Sequence, residues 1–82
     1  MPTVLRIDGL SVIIYPNDHR PAHVHVKGAE NEALFYLACP DGPASPRGNY
    51  GFSLAALRKI EAALNAHLPK LCAAWKEMHD LY

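Results

Sequence analysis

The sequence predicts an α+β fold: a small antiparallel sheet of about four strands in meander order, covered on one face by a long kinked C-terminal helix or by two helices. Three observations carry this. Residues 3–38 alternate between apolar and polar and are rich in β-branched residues. Short turn signals separate the apolar runs, which favours neighbouring antiparallel strands. From residue 53 onward the apolar positions recur at steps of three or four. At 82 residues the chain reads as one domain, 1–82, with a β half (1–39), a Pro/Gly-rich loop (40–52) and a helical half (53–82).

The first strand is Thr3-Val-Leu-Arg-Ile7 and the second is Leu10-Ser-Val-Ile-Ile-Tyr15. Asp8-Gly9 between them is a strong hairpin signal, because both residues tolerate the positive φ of a primed turn. Pro16-Asn17-Asp18 ends the second strand, and a loop runs through Arg20-Pro21. His23-Val-His-Val-Lys27 is a third strand with a period of two. Its valines point to one face, and His23, His25 and Lys27 point to the other. Gly28-Ala29-Glu30-Asn31 reads as a turn, and Ala33-Leu-Phe-Tyr-Leu-Ala38 as the fourth strand.

Residues 40–52 hold three Pro and three Gly in thirteen positions, a composition that predicts an irregular loop with Arg47 as its only cation. Ser53 is a good helix N-cap. Leu57, Ile60, Leu64, Leu68, Leu71, Trp75, Met78 and Tyr82 form the apolar stripe that follows. Pro69 removes one backbone donor, so a kink or break is expected near 65–68. Trp75 and Met78 read as core.

Eight Lys/Arg balance eight Asp/Glu, so bulk charge offers no footprint for duplex nucleic acid. No apolar run reaches the ~18 residues of a membrane span, and the start lacks the pattern of a secretory signal. Cys39 and Cys72 match no metal or redox spacing and read as reduced thiols, with a cytoplasmic location. A chain this short is marginally stable alone, so a partner or a homo-oligomer would help it.

Chemistry concentrates in Asn17-Asp-His-Arg-Pro-Ala-His-Val-His-Val26, where three of the five histidines fall within seven residues. Same-face imidazoles at His23 and His25 lie about 7 Å apart at Cα on an extended strand. Three functional readings follow. The first is a metal site of His23 and His25, with His19 or Asp18 as a third ligand or a carboxylate from Glu30 or Glu32. The second is metal-independent phosphodiester chemistry, in which one imidazole takes a hydroxyl proton, another protonates the leaving oxygen, and a cation stabilises the added charge. The third is a partner-binding surface. Beside them stands the plain reading, that histidines on a strand face pack and hydrogen-bond with no activity. The candidate catalytic residues are His23, His25 and His19, and the candidate binding residues are Asp18, Arg20, Lys27 and Arg47. No cofactor is expected; were a metal present, His19, His23 and His25 would be its first candidates. His67 and His79 read as boundary residues without a role.

This block resembles the small bacterial and phage-associated proteins grouped as domain of unknown function 4160. Their members open with Met-Pro and a short strand, as Met1-Pro-Thr-Val-Leu-Arg-Ile7 does, and close with a Trp-containing helical segment, as Trp75 does. The resemblance covers nearly the whole chain. Its signature positions fall on Asn17, Asp18, His19, Pro21, His23 and His25. It implies a component of a toxin–antitoxin type of module, acting through a small protein encoded nearby; RNA as a target follows from the phosphodiester reading of the histidines and not from the resemblance. A non-catalytic interaction module or phage-borne inhibitor is the alternative that the same residues allow.

Overall fold

The computed structural model describes residues 3–82, so the Met1-Pro2 opening lies outside the described residues. It has five strands and two helices: β1 (Thr3–Ile7), β2 (Leu10–Ile13), β3 (His23–Lys27), β4 (Glu32–Tyr36), β5 (Ser45–Tyr50), α1 (Leu54–Ala66) and α2 (Leu68–His79). The strands form one antiparallel sheet in the order β1-β2-β3-β4-β5. The expected α+β meander is therefore present, with one strand more than expected.

Local chemistry explains most boundaries. Asp8 and Gly9 both take positive φ, 46° and 83°, which closes the β1–β2 hairpin at the pair Ile7–Leu10. The amide of Asp18 donates to the carbonyl of Tyr15, so the chain turns where Pro16-Asn17-Asp18 predicts a stop. The strand itself ends earlier than expected, at Ile13. Gly28 N–H donates to Asn31 carbonyl across the next turn. The fourth strand is shifted slightly toward the N-terminus, to 32–36.

The Pro/Gly-rich segment corrects the expectation of an irregular loop. Its second half is β5, paired with β4 along Glu32–Tyr50, Ala33–Asn49, Leu34–Gly48, Phe35–Pro46 and Tyr36–Ser45. β5 lies at the edge of the sheet, where a proline can sit without costing an interior ladder bond. The register slips between Leu34 and Phe35, so Arg47 is the extra residue of a bulge. Composition hides such a strand, because an edge position paired on one side tolerates the Pro and Gly that argue against a central one.

Val12, Val24, Val26, Ala33 and Phe35 are fully buried and pack with Ile60, Leu64, Leu68, Leu71, Cys72 and Trp75 of the helices. On β3, Val24 and Val26 are buried, His25 is half-buried and Lys27 exposed as the alternation predicts, whereas His23 at the start of the strand is buried too, against Trp75. Ser53 caps α1, its hydroxyl oxygen accepting from Ala56 N–H at 3.1 Å. The helical half breaks at His67, and Pro69 falls in the first turn of α2, where its missing donor costs nothing. Two helices are thus present, not one kinked helix. Met78 corrects another expectation: it is 39% exposed, because the stripe turns away from the sheet in the last turn of α2.

Cys39 and Cys72 correct the reading of free thiols. They form a disulfide, with Cα atoms 5.6 Å apart, between the segment after β4 and helix α2. With both thiols joined, cysteine usage gives no support to a reducing compartment. Among the described residues no helix is long and apolar enough to cross a membrane.

Candidate functional site

The site is built on β3 and closed by the loop that precedes it. His23 and His25 stand on the same face of the strand, with ring centroids 5.4 Å apart in an edge-on arrangement. Asp18, from the turn after β2, reaches both. Its Oδ2 is 3.2 Å from His25 Nε2 and 3.6 Å from His23 Nε2, and its Oδ1 is 3.3 Å from His25 Nε2. One ligand atom from each of Asp18, His23 and His25 lies within 4.8 Å of the others. Asp18 is itself fixed, because its Oδ2 also accepts from Tyr15 N–H at 3.1 Å.

Each imidazole is oriented from behind. The Nδ1–H of His23 donates to the carbonyl of Pro21 at 2.9 Å. Nδ1 of His25 faces Glu32 Oε2 at 3.4 Å, a cross-strand contact from β4. The Pro21 carbonyl only accepts, so His23 carries hydrogen on Nδ1, while His25 is held between two carboxylates, Glu32 at Nδ1 and Asp18 at Nε2, and the Nε2 atoms of both rings face Asp18. His23 is 4% exposed, and the ring of Trp75 packs beside it with centroids 5.3 Å apart. His25 keeps 15% of its side chain exposed and meets Tyr15 edge-on at 4.8 Å.

A pocket of about 360 Å³ opens above this cluster. The 17–21 loop forms one wall with Asn17, His19 and Arg20. Leu34 and Tyr36 of β4 and Arg47 of β5 form the other. The bulge accounts for Arg47, since an unpaired bulge residue is free to turn its side chain away from the ladder. Its guanidinium carbon lies 5.6 Å from the centre of the Tyr36 ring, within cation–π range. Among the described residues neither Arg20 nor Arg47 forms an ion pair.

The structure thus gathers His23, His25 and Asp18 into contact and brings His19, Arg20 and Arg47 to the same pocket. His19 is exposed on its wall and stands outside the three-residue cluster. Lys27 is not brought in. It lies at the far end of β3 beside a separate hollow with Glu30, Asn31 and Tyr50. Glu32, one of two carboxylates considered from sequence, contacts His25; Glu30 is exposed on the 28–31 turn.

Tyr36 and the bulged placement of Arg47 were not foreseeable without the β4–β5 register. Trp75 is core, as expected, and also reaches His23. His79 donates from Nδ1 to Trp75 carbonyl and stacks on the indole at 3.9 Å, while its Nε2 is buried without a hydrogen-bond partner.

No curated protein and no solved structure matches the chain. A family model does match, over residues 9–76, a span that contains the whole cluster and both helices up to Lys76. The chain therefore belongs to the family described as a domain of unknown function (DUF4160).

Proposed function

We propose that the pocket over Asp18, His23 and His25 binds a phosphodiester and promotes its cleavage, as the effector site of a two-protein module of the toxin–antitoxin type. The observation that carries this reading is the shared lining: an Asp–His–His cluster and two unpaired arginines face one pocket. A phosphodiester needs both parts. The cluster promotes loss of the proton from the attacking hydroxyl, His19 on the pocket wall returns a proton to the leaving oxygen as its bond to phosphorus breaks, and Arg20 and Arg47 stabilise the negative charge that builds on the phosphoryl oxygens. Guanidinium groups suit those oxygens because they present planar paired donors. The test is cleavage of single-stranded RNA by purified protein. Cleavage that is lost in His25→Gln, with the thermal melt unchanged, supports the reading. Equal cleavage by wild type and His25→Gln overturns it.

A second reading, a non-catalytic module that acts only through a protein partner, is favoured by one observation. Tyr50 and Leu54 are 68% and 64% exposed on either side of the β5–α1 corner. Large apolar side chains left in water at neighbouring positions suit a contact surface. Co-purification with the product of the adjacent gene tests it. Loss of that complex in a Tyr50→Ser, Leu54→Ser double variant is the expected result.

A further inference from the structure

We infer that Asp18, His23 and His25 bind a divalent first-row transition ion, with Zn²⁺ as the reference case, and that Glu32 and the Pro21 carbonyl orient the two imidazoles for it. The inference deepens the phosphodiester reading, since it names a cofactor for the same pocket, and it departs from the expectation of metal-independent chemistry.

Convergence of donor types comes first. The Nε2 atoms of His23 and His25 both face the carboxylate of Asp18, and one ligand atom from each of the three residues lies within 4.8 Å of the others. Imidazole nitrogen and carboxylate oxygen are donors that first-row divalent ions take. One such ion would engage all three groups at once.

Distance comes second. Asp18 Oδ2 lies 3.2 Å from His25 Nε2 and 3.6 Å from His23 Nε2, longer than the about 2.7–2.9 Å of a tight charged hydrogen bond. Two ligands of one tetrahedral ion with bonds of about 2.0–2.1 Å stand about 3.3–3.4 Å apart. Both carboxylate–imidazole pairs are close to that spacing, and the set as a whole, within 4.8 Å, would draw in around an ion.

The groups behind the imidazoles fit a metal site as well. Histidines that hold metals usually donate their other ring N–H to a carboxylate or a backbone carbonyl, which fixes the tautomer and the ring plane. His25 uses the first kind of partner and His23 the second. The strand supplies this arrangement through its register: Lys27 pairs with Glu32 and His25 with Leu34, so Glu32 sits diagonal to His25 on the same face.

The donor set narrows the ion. Two imidazoles exclude a hard-oxygen site for Mg²⁺ or Ca²⁺, and the absence of a thiolate from the cluster argues against a soft monovalent ion. Three protein ligands would leave at least one coordination position free, and the same three residues line the pocket. His19, the third histidine expected from sequence, stands outside the set; Asp18 takes the place.

The experiment is Zn²⁺ titration of chelator-treated full-length protein by calorimetry, with Co²⁺ as a spectroscopic probe. The expected result is about one ion per chain and a ligand-field spectrum of Co²⁺ with nitrogen and oxygen donors. His25→Gln and Asp18→Asn should abolish both signals. Because these variants touch buried groups, Glu32→Gln is the safer one: its side chain is 36% exposed, and its loss should weaken Zn²⁺ binding about 10–100-fold with the melt of the metal-free protein unchanged. Glu30→Gln should leave the affinity unaltered. Binding of less than about a tenth of an equivalent, or equal affinity in wild type, Glu32→Gln and His25→Gln, overturns the inference. RNA cleavage that persists in chelator without bound ion overturns the metal and leaves the phosphodiester reading standing. Stoichiometric Zn²⁺ binding without any cleavage does the reverse.

Discussion

The indole of Trp75 and the imidazole of His23 lie ring beside ring, with centroids 5.3 Å apart. This pair joins the helical core to the site. Trp75 is fully buried on α2 and donates from Nε1 to the carbonyl of Leu81 at 2.8 Å. Trp75→Ala should therefore cost about 3–5 kcal/mol, since it opens a large cavity in the core. It should also release one side of the His23 ring. Urea unfolding measures the first effect. Broadening of the His23 imidazole resonances relative to His19 measures the second, because His19 is exposed and has no such packing.

Asp18 is the residue on which the cluster depends most, since it faces both Nε2 atoms and anchors the turn through Tyr15 N–H. Asp18→Asn keeps one oxygen to accept from Tyr15 but removes the charge. We expect a stability change of no more than about 1–2 kcal/mol, the order of one hydrogen bond to a charged acceptor. Cleavage and metal binding should fall to background. A variant that stays folded and keeps full activity would detach the carboxylate from the chemistry.

The legibility of these features in the sequence differs by physical cause. The β1–β2 hairpin, the strand at 23–27 and the Ser53 cap are local, and Asp8-Gly9, the Val/His alternation and Ser53 announce them. The same alternation places His23 and His25 side by side. What surrounds them is not local. The Glu32 contact depends on the β3–β4 register, and the position of Arg47 depends on a bulge in a strand whose own composition argues against a strand. The Cys39–Cys72 bond joins residues 33 apart, which only the packing of α2 beside the end of β4 brings together. Burial of His23 by Trp75 is of the same kind. Residue type and period reveal a platform; tertiary pairing decides what closes over it.

Arg47 gives a prediction that separates charge from fold. It is exposed, sits in the bulge and faces the pocket beside Tyr36. Arg47→Ala should leave the melting temperature unchanged while lowering phosphodiester cleavage about 10–100-fold, the scale of losing one charge-stabilising donor. Arg47→Lys should recover only part of it, because an ammonium group offers no planar pair of donors. Equal rates for all three proteins at subsaturating RNA would remove Arg47 from the site.

The disulfide gives the last prediction. Cys39 lies just after β4, and Cys72 lies one helical turn before Trp75 on α2. Closing a loop of this length restricts the unfolded chain, an effect of about 3–4 kcal/mol. For a domain this small that is a large share of the total, since net stabilities run near 0.05–0.15 kcal/mol per residue. Reduction, or the Cys39→Ser, Cys72→Ser pair, should thus lower the urea midpoint strongly. It should loosen α2 first, because α1 and α2 share few contacts beyond the core and the bond ties α2 directly to the sheet side. Hydrogen exchange checks the order: amides of residues 70–78 should lose protection before those of β3. Equal loss in both places would mean that the domain opens as one unit and that the bond sets only its overall stability.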